Sequence, residues 1–458
     1  MLLAVAFATF LAALLALPSF SAAAPLAISI SGNHFVNGAG QPIRLLGVNH
    51  PSSEYACVDG FGYNDGHQDD ADAAAIASWN ANAVRVPLNE DCWLGINGQP
   101  NKSQEALTEA GYRQAVEDYV SELNAHGLYA ILDLHWTAPG NQTALEQQPV
   151  PDMDHSPAFW QSVAETFKGN PAVVFDVFNE PYDPTDQRSG DDKNASDAIT
   201  WGCWESGTKP DVVGGNAPPV PCFTQAYGDT GNPTTRYQVA GMQTLVTAIR
   251  AQGATQPVMV GGLNFANDLS QWLTHAPHDP LNQEAASFHN YMGQECDDVG
   301  CWNSEVAPVA ANVPVVTGEF DEDDYQESQC TTKTPNAFDQ EYMSWADEHS
   351  VSYTAWGWLV LNQEEKDEEA CSAFYLIDSY DGTPAAPNGT AVHDHLLTLP
   401  PGGLISAGPG PTGGSSAPSV TTTTSQGGAS SKPPISLKFI GDSVKSSGHS
   451  LGVTLRSA

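Results

Sequence analysis

Two rhythms alternate along this chain. Short, nearly continuous apolar runs, rich in β-branched and aromatic residues, stand at 43–49, 82–88, 129–136, 172–178, 257–262, 285–291, 313–320 and 351–358. Such runs read as strands covered on both faces, as parallel strands are. Between them, 72–80, 106–126, 157–167, about 237–252, 267–275 and 335–349 carry apolar residues at helical spacing. The clearest is 106–126, where Ala115, Val116, Tyr119, Val120 and Leu123 share one stripe. Eight strands alternating with helices predict an α/β fold, a (β/α)8 TIM barrel. An open doubly wound sheet is the alternative, but no Gly-x-Gly-x-x-Gly follows any strand.

The pattern breaks in four places. Residues 1–24 are almost wholly apolar and end in Ser21-Ala22-Ala23-Ala24, which reads as a signal peptide. No Lys or Arg precedes the run, so an uncleaved anchor stays open as the alternative. Residues 26–40 read as a small hairpin lid turning at Asn37-Gly38. Residues 183–233, rich in Asp, Gly and Pro, read as a long functional loop that Cys203 and Cys222 could pin. Beyond 400 the chain turns to Gly, Ser, Thr and Pro, a disordered linker or tail. The expected division is 1–24 signal peptide, 25–400 catalytic barrel and 401–458 tail.

Charge narrows the partners. Over 458 residues, 16 Lys and Arg face 54 Asp and Glu, a formal net charge of −38 that repels phosphate backbones and anionic lipid. Nucleic acid is excluded as a partner, and the surplus suits a monomer kept soluble outside the cell. Eight cysteines in an exported chain favour disulfides. Proximity suggests Cys57–Cys92, Cys203–Cys222, Cys296–Cys301 and Cys330–Cys371, among about 105 possible connectivities. No spacing argues for zinc, and no metal or cofactor is expected. Sequons at Asn101, Asn141, Asn194 and Asn388 would carry glycans in a eukaryote.

The chemistry lies at the strand ends. Glu180 follows one apolar run and is closed off by Pro181, and Glu319 stands near the end of another. A carboxyl pair of this kind can cleave acetals, one acid protonating the leaving oxygen while the other attacks the sugar carbon. On a barrel, polar residues at the C-terminal strand ends converge on one face. Here these are Arg85, His135, Asn179, Glu180, His289, Tyr291, Glu319 and Trp356.

In this order and spacing, Val-Arg-Val-Pro at 84–87, Leu-Asp-Leu-His-Trp at 132–136, Phe-Asn-Glu-Pro at 178–181, His-Asn-Tyr at 289–291, Thr-Gly-Glu-Phe at 317–320 and Ala-Trp-Gly-Trp at 355–358 form one set. The chain resembles glycoside hydrolase family 5, the cellulase-like retaining glycosidases, over most of 40–398. The resemblance implies Glu180 as acid/base and Glu319 as nucleophile. It assigns Arg85 and Tyr291 to the nucleophile's surroundings, His135 and Asn179 to substrate contact, His289 to the neighbourhood of the acid/base and Trp356 to a sugar platform, with Trp358 the alternative. It implies a secreted enzyme acting on a cell-wall polysaccharide, foremost as an endo-β-1,4-glucanase, with β-mannanase as the alternative. A catalytically inactive carbohydrate-binding barrel is disfavoured because neither glutamate is missing. The chain departs from the family after Phe320, where Asp321-Glu322-Asp323-Asp324 reads as solvated charge or a calcium loop.

Overall fold

The computed structural model describes residues 26–101, 107–185, 197–209, 219–227, 233–322, 337–361 and 375–405, with two short strands at 437–439 and 455–457. The signal segment, the Cys330–Cys371 pair, Asn194, Asp323, Asp324 and most of the tail lie outside the described residues.

A three-stranded antiparallel sheet comes first, β1 (Ile28–Ser31), β2 (His34–Asn37) and β3 (Pro42–Ile43). The eight apolar runs then pair side by side in parallel as β4 (Leu46–Asn49), β5 (Ala83–Asn89), β6 (Tyr129–Trp136), β7 (Val173–Asp176), β8 (Val258–Gly261), β9 (Glu284–Tyr291), β10 (Val315–Asp321) and β11 (Ser352–Ala355). β11 pairs back onto β4, which closes the barrel and excludes the open sheet. Close pairing at the seam between β4 and β5 demands glycine at position 47, where a Cβ would stand 1.8 Å from the Ala83 carbonyl oxygen. Helices follow the strands as the periodicity predicts. The longest, Glu109–Ala125, starts at Thr108, whose hydroxyl accepts from the Gly111 amide, and buries Val116, Tyr119, Val120 and Leu123.

The N-terminal sheet is a floor and not a lid. Ile28, Phe35 and Ile43 pack with Leu45, Ala83, Tyr129, Ala172 and Ala285, at or beside the N-terminal ends of the barrel strands. Those ends leave an apolar opening that must be covered, so the sheet lies opposite the face that gathers the polar residues. Its β1–β2 turn is at Gly32-Asn33. Asn37-Gly38 makes the next turn, where the Asn37 side-chain oxygen accepts from the amides of Ala39 and Gln41. Leu404 packs on the same cluster and bridges Ile43. The chain thus stays on the barrel to Ile405, five residues past the boundary expected at 400.

Other expectations shift. Of 267–275 only Trp272–His275 is helical, because the Asn267 amide is drawn off to the His289 carbonyl and the Cys296 backbone. Pro233–Gln238 pairs with Phe223–Tyr227 as a hairpin, so the next helix begins at Met242. The segment read as loop therefore holds this hairpin and the helix Trp201–Ser206, tied by the Cys203–Cys222 disulfide. Cys57–Cys92 and Cys296–Cys301 are also bonded. Asn388 is buried and donates to Asp321 Oδ1 at 2.6 Å, so that sequon cannot take a glycan. Asp321 and Glu322 are likewise buried, Glu322 accepting from the Phe338 amide at 2.7 Å, so the first half of the acidic run is not solvated charge. No helix among the described residues is long and apolar enough to cross a membrane.

If the floor only seals the barrel, Phe35→Ala should cost ~3–5 kcal/mol in urea unfolding and leave kcat unchanged. A fall in kcat at temperatures where the variant is still folded would contradict that separation of floor from site.

Candidate active site

Arg85 sits near the middle of β5 with no exposed surface, and four of its five N–H groups donate to side chains around it. Nε donates to Asp176 Oδ2 at 2.9 Å, Nη1 to Glu319 Oε1 at 2.7 Å and Asn49 Oδ1 at 3.1 Å, and Nη2 to Asn179 Oδ1 at 2.8 Å, while Asp133 Oδ2 forms an ion pair with Nη2 at 3.0 Å. One cation thus fixes side chains from β4, β6, β10, the end of β7 and β7 itself. Burial works against its charge, but the three neighbouring acids overcome this and hold the guanidinium protonated. They outnumber it, and burial lifts Asp133 and Asp176 above the ordinary carboxylate range against the pull of Arg85.

The two glutamates occupy different surroundings. Glu319 is buried at the end of β10, its Oε1 on Arg85 and its Oε2 accepting from the Tyr291 hydroxyl at 2.7 Å. Glu180, just past β7, has no Arg or Lys in direct contact. His289 Nδ1 lies 2.9 Å from its Oε1. Burial pushes the Glu180 carboxyl up to about 7, above its ordinary 4.5. Burial also pulls His289 down to about 3 and His135 down to about 4, so both imidazoles are neutral near neutral pH. His289 Nε2 is buried without a partner, which favours the tautomer carrying its proton on Nδ1, where it donates to Glu180. His135 Nδ1 is 2.6 Å from Asp133 Oδ2, which leaves Nε2 as an acceptor towards the groove. The Trp356 ring is half-buried and stacks on His135 at 5.8 Å and 16°. Trp358 is buried with its indole N–H on Asp72, so it is no alternative platform.

All eight residues singled out from the sequence therefore lie on one barrel face. Sequence reasoning missed Asn49, Asp133, Asp176 and Gln147. The first three had a signal: polar groups inside apolar strands require a buried partner. It also missed Glu54, whose carboxyl accepts from the Ser52 amide at 2.8 Å and is pushed up to about 8 by burial. A carboxylate oxygen of Glu180, one of Glu319 and a ring nitrogen of His289 fall within 4.8 Å of one another. Arg85 and Tyr291 already engage both Glu319 oxygens, so the trio suits proton and glycosyl transfer better than a cation.

One carboxyl group that holds its proton near neutral pH, set close to another that is salt-bridged, is equipped to open an acetal. On a closed parallel barrel that equipment defines a class, the barrel glycoside hydrolases. Residues 36–360 match the family model for cellulase (glycosyl hydrolase family 5), and the chain belongs to that family. Endoglucanase MaCel5A of Microbulbifer sp. (strain ALW1) is 23% identical over 154 residues, 34% of this chain and 26% of that protein. The chain thus matches about a quarter of the length of this curated relative. Among solved structures, β-glucanase SdGluc5_26A from Saccharophagus degradans, in complex with cellotetraose, superposes with a TM-score of 0.55 at 19% identity, covering 82% of this chain and 94% of that one. XacCel5A in complex with cellopentaose gives 0.50 at 17% identity, covering 77% and 99%. These likenesses show the fold.

An unfolded glutamate releases its proton near 4.5, whereas folded Glu180 keeps it to about 7. Stability should therefore fall as pH rises between those values, by up to ~3 kcal/mol for this group. Glu180→Gln has no such proton to lose, so thermal melts should show it gaining on wild type between pH 4 and pH 8. An equal gap at both pH values would contradict the raised value.

Proposed function

We propose that the protein is an exported endo-β-1,4-glucanase that hydrolyses β-glucan by double displacement. The observation that carries this is the asymmetry of the two glutamates: Glu319 is held by Arg85 and Tyr291, while Glu180, within 4.8 Å, keeps a raised pKa. Inverting enzymes hold their carboxyl groups ~6.5–9.5 Å apart to admit a water, and retaining ones ~5–5.5 Å, so the close approach favours retention.

In the first step Glu319 attacks the anomeric carbon as Glu180 gives its proton to the departing glycosidic oxygen. The Asn179 amide donates to the sugar 2-hydroxyl, a contact that strengthens as the oxocarbenium-like transition state develops. Trp356 offers its flat face to the sugar ring. In the second step Glu180, now a carboxylate, takes a proton from water, which attacks the glycosyl ester and frees Glu319. The cello-oligosaccharides bound by the structural neighbours support a β-1,4-glucan as substrate. The apolar leader at 1–24 supports export.

A dinitrophenyl cellobioside separates the roles, because its leaving group hardly needs an acid. Glu180→Ala should release dinitrophenolate in a burst and then stall, and azide, which needs no base, should restore turnover as the β-glycosyl azide. Glu319→Gln should show neither burst nor rescue. A burst retained in Glu319→Gln would overturn the assignment.

A further inference from the structure

The loop between β6 and the helix Ser156–Phe167 carries a group that the two-step reaction does not use. Gln147 Oε1 accepts from Asn179 Nδ2 at 2.9 Å, and its Nε2 donates to the Glu180 carbonyl at 3.2 Å. We propose that Gln147 is a positioning residue that holds Glu180 by its carbonyl and sets the aim of the Asn179 amide. The inference rests on the roles given above to Glu180 and Asn179.

Asn179 is fixed at two points. Its oxygen accepts from Arg85 Nη2, which decides the face of the amide, and Gln147 Oε1 takes one of its two N–H groups. The second N–H, 3.5 Å from His135 Nε2, remains for a sugar hydroxyl. Without Gln147 the amide would hang on one bond and tilt. The second arm reaches Glu180. Bonded to the Glu180 carbonyl, the Gln147 amide stands beside the Glu180 carboxyl and works against the upward push of burial, since a nearby donor favours the charged form. The other charged or titratable groups facing Glu180 are Arg85, Asp133, His135, His289, Tyr291 and Glu319.

The loop is held for this task by buried acids. Glu90 accepts from the Ala138 amide at 3.3 Å, and Asp91 accepts from that of Ala144 at 3.1 Å. At the surface, the exposed Asp154 adds a further tie, accepting from the Gly140 amide at 2.7 Å. Beyond Gln147, the Tyr182 amide donates to the Pro149 carbonyl at 2.8 Å, which ties the loop to the chain just after Glu180. A glutamine on a loop pinned at both flanks is preorganised, whereas a purely solvent-facing one would need no such anchoring.

The test measures kcat/KM against pH on cellotetraose, and burst rate on dinitrophenyl cellobioside, for wild type, Gln147→Leu, Gln147→Glu and Glu180→Ala. Gln147→Leu should move the alkaline limb to higher pH, lower kcat/KM by about tenfold or more and slow the burst. Gln147→Glu keeps the acceptor for Asn179 and loses the donor to Glu180. It should move the limb the same way and keep the wild-type burst, and it still decides the matter if the leucine variant misfolds. An unmoved limb in a folded Gln147→Leu, or a burst lost in Gln147→Glu, overturns the proposal. If Glu180→Ala gives the burst and is rescued by azide, such a failure falls on Gln147 alone. A Glu180→Ala that shows neither burst nor azide rescue overturns the role of Glu180 and the proposal with it.

Discussion

The buried guanidinium of Arg85 is the interaction on which the rest depends. Three acids and two amides from four strands point inward to one place, and without a cation at their centre none of the acids could be buried ionised. Its donors lie in a rigid planar fork, so the acceptors gathered on it are fixed in angle as well as in distance. Asn49, which donates to the carbonyls of Gly318 and Thr354, carries that constraint into the backbone beside Glu319.

From this centre the site divides into two halves of unlike electrostatics. On one side Glu319 is tied to the cation. On the other, His289 is buried and Glu180 largely so, without a direct cationic partner, and the proton stays on the acid. His289 needs room beneath it, and Gly318 supplies it: a Cβ there would lie 2.8 Å from His289 Nε2. A side chain at 318 would push the imidazole into Glu180, so the residue before the nucleophile also shapes the acid. Strand order, a property of the backbone, thereby places one acid on the cation and the other, Glu180, where burial raises its proton affinity.

Much of this was legible in the chain because barrel chemistry is written at strand ends. Apolar runs broken by Asn179-Glu180-Pro181 or closing on Gly318-Glu319 mark both the element and its cargo. The floor was misread because a hairpin rich in apolar residues says that it covers something but not which end it covers. Asp133 and Asp176 went unassigned although an acid inside an apolar strand always requires a partner, and Arg85 was one of only two Arg or Lys residues in the core runs, the other being Arg44 at the start of the first. Gln147 had no such signal. It stands in an aperiodic loop, and only the fold brings it to Asn179 and Glu180. The burial of Asp321 and Asn388 was hidden for a similar reason, since polar composition masked a pair that satisfies itself.

The central claim is that Glu319 and Glu180 act in succession on the same anomeric carbon, which inverts it twice. An NMR time course of β-glucan hydrolysis, read before mutarotation, tests this most directly. The account predicts the β-anomer as first product, with the α-anomer growing in only at the rate of mutarotation. An α-anomer as first product would mean a single displacement by water and would contradict it.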